Sequence, residues 1–129
     1  MCSFCGHIFT DGYFTAEALE LLFSKAQQTQ TPCVEVESSR TVSSRMVNTV
    51  CTTIGRYKGR WLDVGFGNGS LLTTASEFGF SVVGLDLRRA NVERLREYSY
   101  DVHCKELRSY SEFGIFDVVS MADVLEHMP

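Results

Sequence analysis

The chain has 129 residues, 44% of them hydrophobic and 22% charged, with a formal net charge of −4 and a pI near 5.3. That balance fits one globular domain and excludes a disordered chain; it carries no basic stripe for nucleic acid and no apolar run long enough for a membrane. Five cysteines without a pairing pattern, and no signal-like N-terminus, fit a reducing, cytoplasmic setting.

Residues 1–12 (MCSFCGHIFTDG) form a short head in which Cys2 and Cys5 have the spacing of one zinc knuckle. A structural zinc takes four ligands, no second Cys-x-x-Cys follows, and His7 is cramped as a third ligand. The residues by themselves therefore read as two free thiols, with zinc possible if the site is completed from elsewhere. Residues 13–58 form an N-terminal helical region. Thr15 can cap a helix over 16–28, with Leu19, Leu22, Phe23 and Ala26 on one face. A connector with Pro32 spans 29–37. A second helix is expected over 39–55, where Val42, Met46, Val50 and Ile54 recur every four residues before Gly55. Cys33, Cys51 and Cys104 read as small core residues.

Residues 59–129 change texture to alternating strands and helices. Strands are expected at 61–64, 81–85, near 101–104 and at 115–120, and helices at 69–78, 88–98 and from 122 to 128. Residues 105–113 are read as a helical turn. In the 88–98 segment Arg88, Arg89, Arg94 and Arg96 alternate with Glu93 and Glu97, the pattern of a solvated helix face. Such alternation predicts an α/β, Rossmann-like parallel sheet with helical crossovers.

The strongest signal is Asp63-Val64-Gly65-Phe66-Gly67-Asn68-Gly69, which leaves one strand and opens one helix. Glycines let the backbone turn sharply and let a ligand approach closely. The alternative is a tight turn without a ligand. Asp86 closes the next strand and would lie beside that turn, where a carboxylate can accept both hydroxyls of a ribose or cap the following helix. The dinucleotide fingerprint has its third glycine one residue later. Asp63 would repel a pyrophosphate but suits an ammonium group. S-adenosylmethionine offers an ammonium, a ribose and no phosphate.

LDVGFGNG resembles motif I of class I S-adenosylmethionine-dependent methyltransferases, VVGLDL resembles their motif II, and FDVVSMADVLEHMP resembles their fourth-strand motif, especially in small-molecule and quinone O-methyltransferases. The resemblance implies that Gly65, Phe66, Gly67 and Gly69 line the methionine part of the cofactor, and that Asp63 reaches its amino group. It places Asp86 on the ribose, Leu87 against the adenine, Glu106 near the adenine edge, and Met121 and Ala122 near the sulfonium. It also implies a strand order 3-2-1-4 of about four strands, incomplete at the C-terminus relative to the family's seven. CSFCGHIFTDGYFTAEALELLF resembles half of a zinc ribbon that precedes some of these domains.

Asp123, Glu126 and His127 are spaced to share one face of a helix. Glu126 and His127 are the candidate catalytic pair, with His127 as a general base toward an oxygen acceptor or the group as a metal holder. The plainer alternative is that they cap and orient the helix. The expected function is methyl transfer to a small-molecule acceptor, this chain supplying the cofactor-binding half, which need not be active by itself. The alternative is a non-catalytic nucleotide-binding or assembly module. The apolar fourth strand, with Phe116, Val118 and Val119, would be an exposed sheet edge through which the chain forms a homo-oligomer.

Overall fold

The computed structural model describes residues 2–6, 15, 17–18, 21, 36–111 and 114–127. Most of the expected helix over 16–28 lies outside these residues, as do the connector at 29–35 and Cys33. Residues 17 and 18 are helical, and Thr15 Oγ1 accepts the Ala18 N–H at 3.3 Å, the bond of an N-cap.

The described elements are α1 (Val36–Ile54), β1 (Gly59–Val64), α2 (Ser70–Glu77), β2 (Phe80–Leu85), α3 (Arg89–Glu97), β3 (Asp101–His103), a 3-10 turn (Leu107–Ser109), β4 (Val118–Ser120) and a second 3-10 turn (Leu125–His127). The four strands form a parallel sheet in the order β3-β2-β1-β4. Each strand-to-strand link from β1 to β3 passes through a helix, which parallel pairing requires.

Side-chain alternation along β1 divides the core. Trp61 faces one side of the sheet with Phe80, and there Val47 and Cys51 of α1 and Leu71 and Ala75 of α2 close over them. Phe66, Leu72, Val92, Leu95 and Val102 continue that packing toward α3. Leu62, Val64, Val83, Leu85 and Tyr110 form the other side, covered by Leu107, Phe116, Met121 and Val124. Gly84 sits where β2 meets the helical layer. A Cβ there would lie 2.5 Å from Leu72 and 2.7 Å from Phe66. Gly84→Ala should therefore lose about 1–3 kcal/mol of stability through overpacking, read as a lower thermal midpoint; an unchanged midpoint would show that the layer can yield.

α1 starts three residues before the expected helix and carries two ties to α2. Ser43 and Ser70 share a buried 2.9 Å hydrogen bond, and Arg40 bonds both Glu37 and Glu77. The fourth strand is shorter than the sequence pattern suggests. Ahead of it, Asp117 is tied to Arg60 twice, its N–H donating to the Arg60 carbonyl at 2.9 Å and its Oδ2 accepting the Arg60 N–H at 2.7 Å, and the Arg60 guanidinium lies 4.5 Å from the Phe116 ring centre. Ile115 points to solvent, 89% exposed. Of the expected helix over 122–128, the described residues 122–127 are turns ending in 3-10 geometry, because Asp123 adopts a left-handed φ of 53°. Asp tolerates that region better than most residues, at the expense of helical continuity. No described helix is long and apolar enough to cross a membrane.

Candidate functional site

The carboxyl ends of β1, β2 and β4 meet where a ligand binds in an open α/β sheet. Between β1 and α2 the chain turns through Gly65, Gly67 and Gly69, with φ of 70°, 59° and 81°. All three lie in the left-handed region, which explains glycine at these positions. Gly65 has a second reason: a Cβ there would lie 2.4 Å from Val124. Phe66, between them, turns its ring into the core beside Leu72 and Leu95, while its N–H donates to the Leu85 carbonyl at 3.3 Å and its carbonyl accepts the Gly69 N–H at 2.8 Å. Asn68 Oδ1 accepts the Ser70 N–H at 3.0 Å in an Asx turn ahead of α2, whose N-cap is Gly69 without a side-chain bond.

Two buried carboxylates flank this turn. Asp63, the penultimate residue of β1, is 2% exposed. Its Oδ1 accepts the Ser120 hydroxyl at 2.6 Å, and Ser120 Oγ accepts the Trp61 indole N–H at 2.7 Å. Since the indole N–H can only donate, it directs the serine proton toward the carboxylate. That hydrogen bond favours the ionised acid, but burial and the nearby Asp86 charge outweigh it, and the Asp63 carboxyl is pushed up to about 7. Asp63 is thus a buried acid held by a hydroxyl, in a place short of positive charge.

Asp86 follows β2 and is equally buried. Its Oδ2 accepts the Gly67 N–H at 3.0 Å, which joins the second acid to the glycine turn. Its Oδ1 accepts the Arg88 N–H at 2.8 Å, ordering the entry to α3. The helix-cap reading does not hold, because Arg88 occupies the N-cap of α3 without a side-chain cap bond and Asp86 lies two residues ahead of it. Arg88 departs from the expected solvated face: its guanidinium lies on Asp86, with the side chain 14% exposed. Arg94 does keep to the surface in an ion pair with Glu97.

Leu87, beside Asp86, is a large apolar side chain left 63% exposed. Glu106 is exposed just before the first 3-10 turn. Met121 packs partly into the Leu62 cluster, and Ala122 is exposed. Asp123 and Glu126 are exposed, and the α-helical face expected to align them with His127 does not form. Three residues of the site were not singled out in the sequence: Asn91, whose Nδ2–H donates to the Gly67 carbonyl at 2.9 Å; Ser120; and Val124. Asn91 and Ser120 are polar residues at strand-end or first-turn positions, the one signal that could have flagged them.

In the head, Cys2 to Gly6 form a turn closed by the Gly6 N–H on the Cys2 carbonyl at 3.0 Å. Backbone N–H groups of Cys5 and Phe4 directed at the Cys2 sulfur hold that thiol below its ordinary range. Among the described residues no group of three or more His, Cys, Asp or Glu side chains could hold a metal ion.

Comparison with known proteins agrees with this geometry. The methyltransferase-domain family matches residues 37–129. A ubiquinone biosynthesis O-methyltransferase of Nitrosococcus oceani is 36% identical over 78 residues, a match covering 54% of this chain and 33% of that protein. Streptomyces venezuelae DesVI superposes with a TM-score of 0.54 at 16% identity, covering 83% of this chain and 43% of its own. The plantazolicin methyltransferase BpumL, solved with SAH, gives a TM-score of 0.57 at 14% identity, covering 81% and 41%. The chain thus spans about a third of the curated relative and about two fifths of these structures. With the family matched across the whole sheet and the fold shared, the chain belongs to the methyltransferase-domain family, in its class I, S-adenosylmethionine-dependent branch.

Proposed function

We propose that the chain binds S-adenosylmethionine across the ends of β1 and β2 and serves methyl transfer to a small-molecule acceptor. The observation that carries this reading is the pair of buried acids, Asp63 and Asp86, on either side of three left-handed glycines. Asp63, short of positive charge, suits the amino-acid ammonium. Asp86 suits the ribose hydroxyls, Leu87 the adenine face, and Gly65 to Gly69 the methionine chain. The residues fit the ligand in charge, since a pyrophosphate would meet two carboxylates.

The bound cofactor supplies a methyl group on a sulfonium, ready for in-line displacement. The chain's contribution is binding and orientation, which hold the donor in one geometry and exclude water. An oxygen acceptor is the favoured class, because the ubiquinone-pathway relative is an O-methyltransferase. Glu126 and His127 are the residues proposed to take the acceptor's proton. Cys2 and Cys5 are proposed to bind zinc where further ligands complete the site.

Calorimetric titration with S-adenosylmethionine, its demethylated product and NAD tests the reading. The two sulfur nucleosides should bind and NAD should not. Asp86→Ala should weaken binding by about 1.5–3 kcal/mol, the value of hydrogen bonds to a charged group. NAD binding as tight as S-adenosylmethionine, or an Asp86→Ala variant with full affinity, would overturn it.

A further inference from the structure

The Asp86 carboxylate is already saturated. A carboxylate offers about four acceptor positions. At Oδ1 they go to the Arg88 N–H at 2.8 Å and the Arg88 Nε–H at 3.0 Å. At Oδ2 they go to the Gly67 N–H and the Arg88 Nη2–H, both at 3.0 Å. The two backbone donors shape the glycine turn and the start of α3, so a bound ligand has to leave them in place. The two guanidinium donors form a bidentate fork, one on each oxygen, and a ribose diol would present its own two hydroxyls to those same positions.

The geometry points to Arg88 as a built-in competitor for the nucleoside site, whose guanidinium must leave Asp86 before a ribose can take its place. This inference rests on the ligand reading of Asp86 given above. Release needs no change of fold: Arg88 stands at the N-terminal boundary of α3, and rotation about its own side-chain bonds carries the guanidinium toward solvent. The exchange is isoelectric for a cationic ligand. A guanidinium leaves the Asp86 carboxylate, and S-adenosylmethionine, whose ammonium, sulfonium and carboxylate sum to one positive charge, enters in its place.

Residue 88 therefore sets affinity by stabilising the ligand-free state. Truncating it leaves a buried carboxylate without its ion pair in that state alone, and the ligand-bound state is spared. Arg88→Ala should bind S-adenosylhomocysteine and adenosine more tightly than the parent chain, on the order of tenfold. Arg88→Lys, which keeps the charge without the fork, should fall between. Binding of 2′,3′-dideoxyadenosine, which lacks both hydroxyls, should not respond to residue 88.

Titration of the three chains with these three nucleosides, followed by calorimetry or by ligand NMR, reads the effect. Equal or weaker binding of S-adenosylhomocysteine to Arg88→Ala overturns the competitor role and leaves the nucleoside reading standing. A dideoxyadenosine gain as large as that of adenosine also overturns it, since the effect would then not pass through the diol. No nucleoside binding to any of the chains overturns both. Should Arg88→Ala not fold, the lysine variant decides: tightening of a few-fold supports the role, and no change overturns it.

Discussion

Replacing Asp63 by asparagine should stabilise the ligand-free chain at pH 8 while weakening its hold on S-adenosylmethionine. The wild-type carboxyl titrates at about 7 in the fold against an ordinary 3.8, chiefly because of burial. Between those two values the folded chain keeps a proton that the unfolded chain has lost. Wild-type stability must then fall as pH rises through that window and level off above it. The full penalty corresponds to about 4 kcal/mol, and asparagine, which can still accept the Ser120 hydroxyl, avoids most of it. Urea denaturation at pH 5, 6, 7 and 8 should show the two chains diverging as pH rises. Parallel curves would mean that Asp63 is ionised throughout.

Ligand binding should change in the opposite sense. On the proposed reading an ammonium group meets the ionised form of Asp63, so the variant should lose about 1.5–3 kcal/mol of affinity. Wild-type affinity should rise with pH up to about 7, and titration near pH 6 in buffers of different ionisation enthalpy should register proton release. A stabilised variant with undiminished affinity would place the amino-acid end of the ligand elsewhere.

Trp61→Ala should be the most damaging single change in the core. The indole is 1% exposed, stands edge-on to Phe80 at 5.1 Å between ring centres, and donates to Ser120. Losing it should cost about 3–5 kcal/mol, against a typical total of about 5–15 for a domain. Denaturant melts check this, and a loss below 1 kcal/mol would show that the helical layer can collapse into the cavity. Trp61→Phe separates packing from hydrogen bonding. It keeps an aromatic ring against Phe80 but frees the Ser120 hydroxyl to turn its proton away from Asp63. The Asp63 carboxyl should then titrate higher still, which carboxyl-carbon NMR would record.

What the sequence made legible was local. The glycines of the turn and the acids closing β1 and β2 lie within short stretches whose patterns name their elements. Alternation of strands and helices then gave a parallel sheet, and the motif resemblance gave its order. What stayed hidden depends on contacts between distant residues. Asp63 and Ser120 are 57 positions apart, and Asn91 and Gly67 are 24 apart. Arg88 was misread for a different reason. Its charged neighbours in the sequence describe the exposed side of α3, whereas Arg88 precedes the first turn and is free to fold back onto Asp86. The end of the chain failed as a helix because the spacing of Asp123, Glu126 and His127 says nothing about a left-handed residue among them.

The meeting of three strand ends has a thermodynamic corollary. The groups facing the ligand come from segments that are apart in the unfolded chain and converge only when β1, β2 and β4 are in register. An unfolded chain thus has no partial version of the site to offer, and any nucleoside held there is a ligand of the native state alone. Mass action then ties folding to supply. At a free concentration one hundred times the dissociation constant, the ligand adds about 2.7 kcal/mol to the unfolding free energy. Donor abundance would in this way regulate how long the chain survives proteolysis, quite apart from whether it turns over.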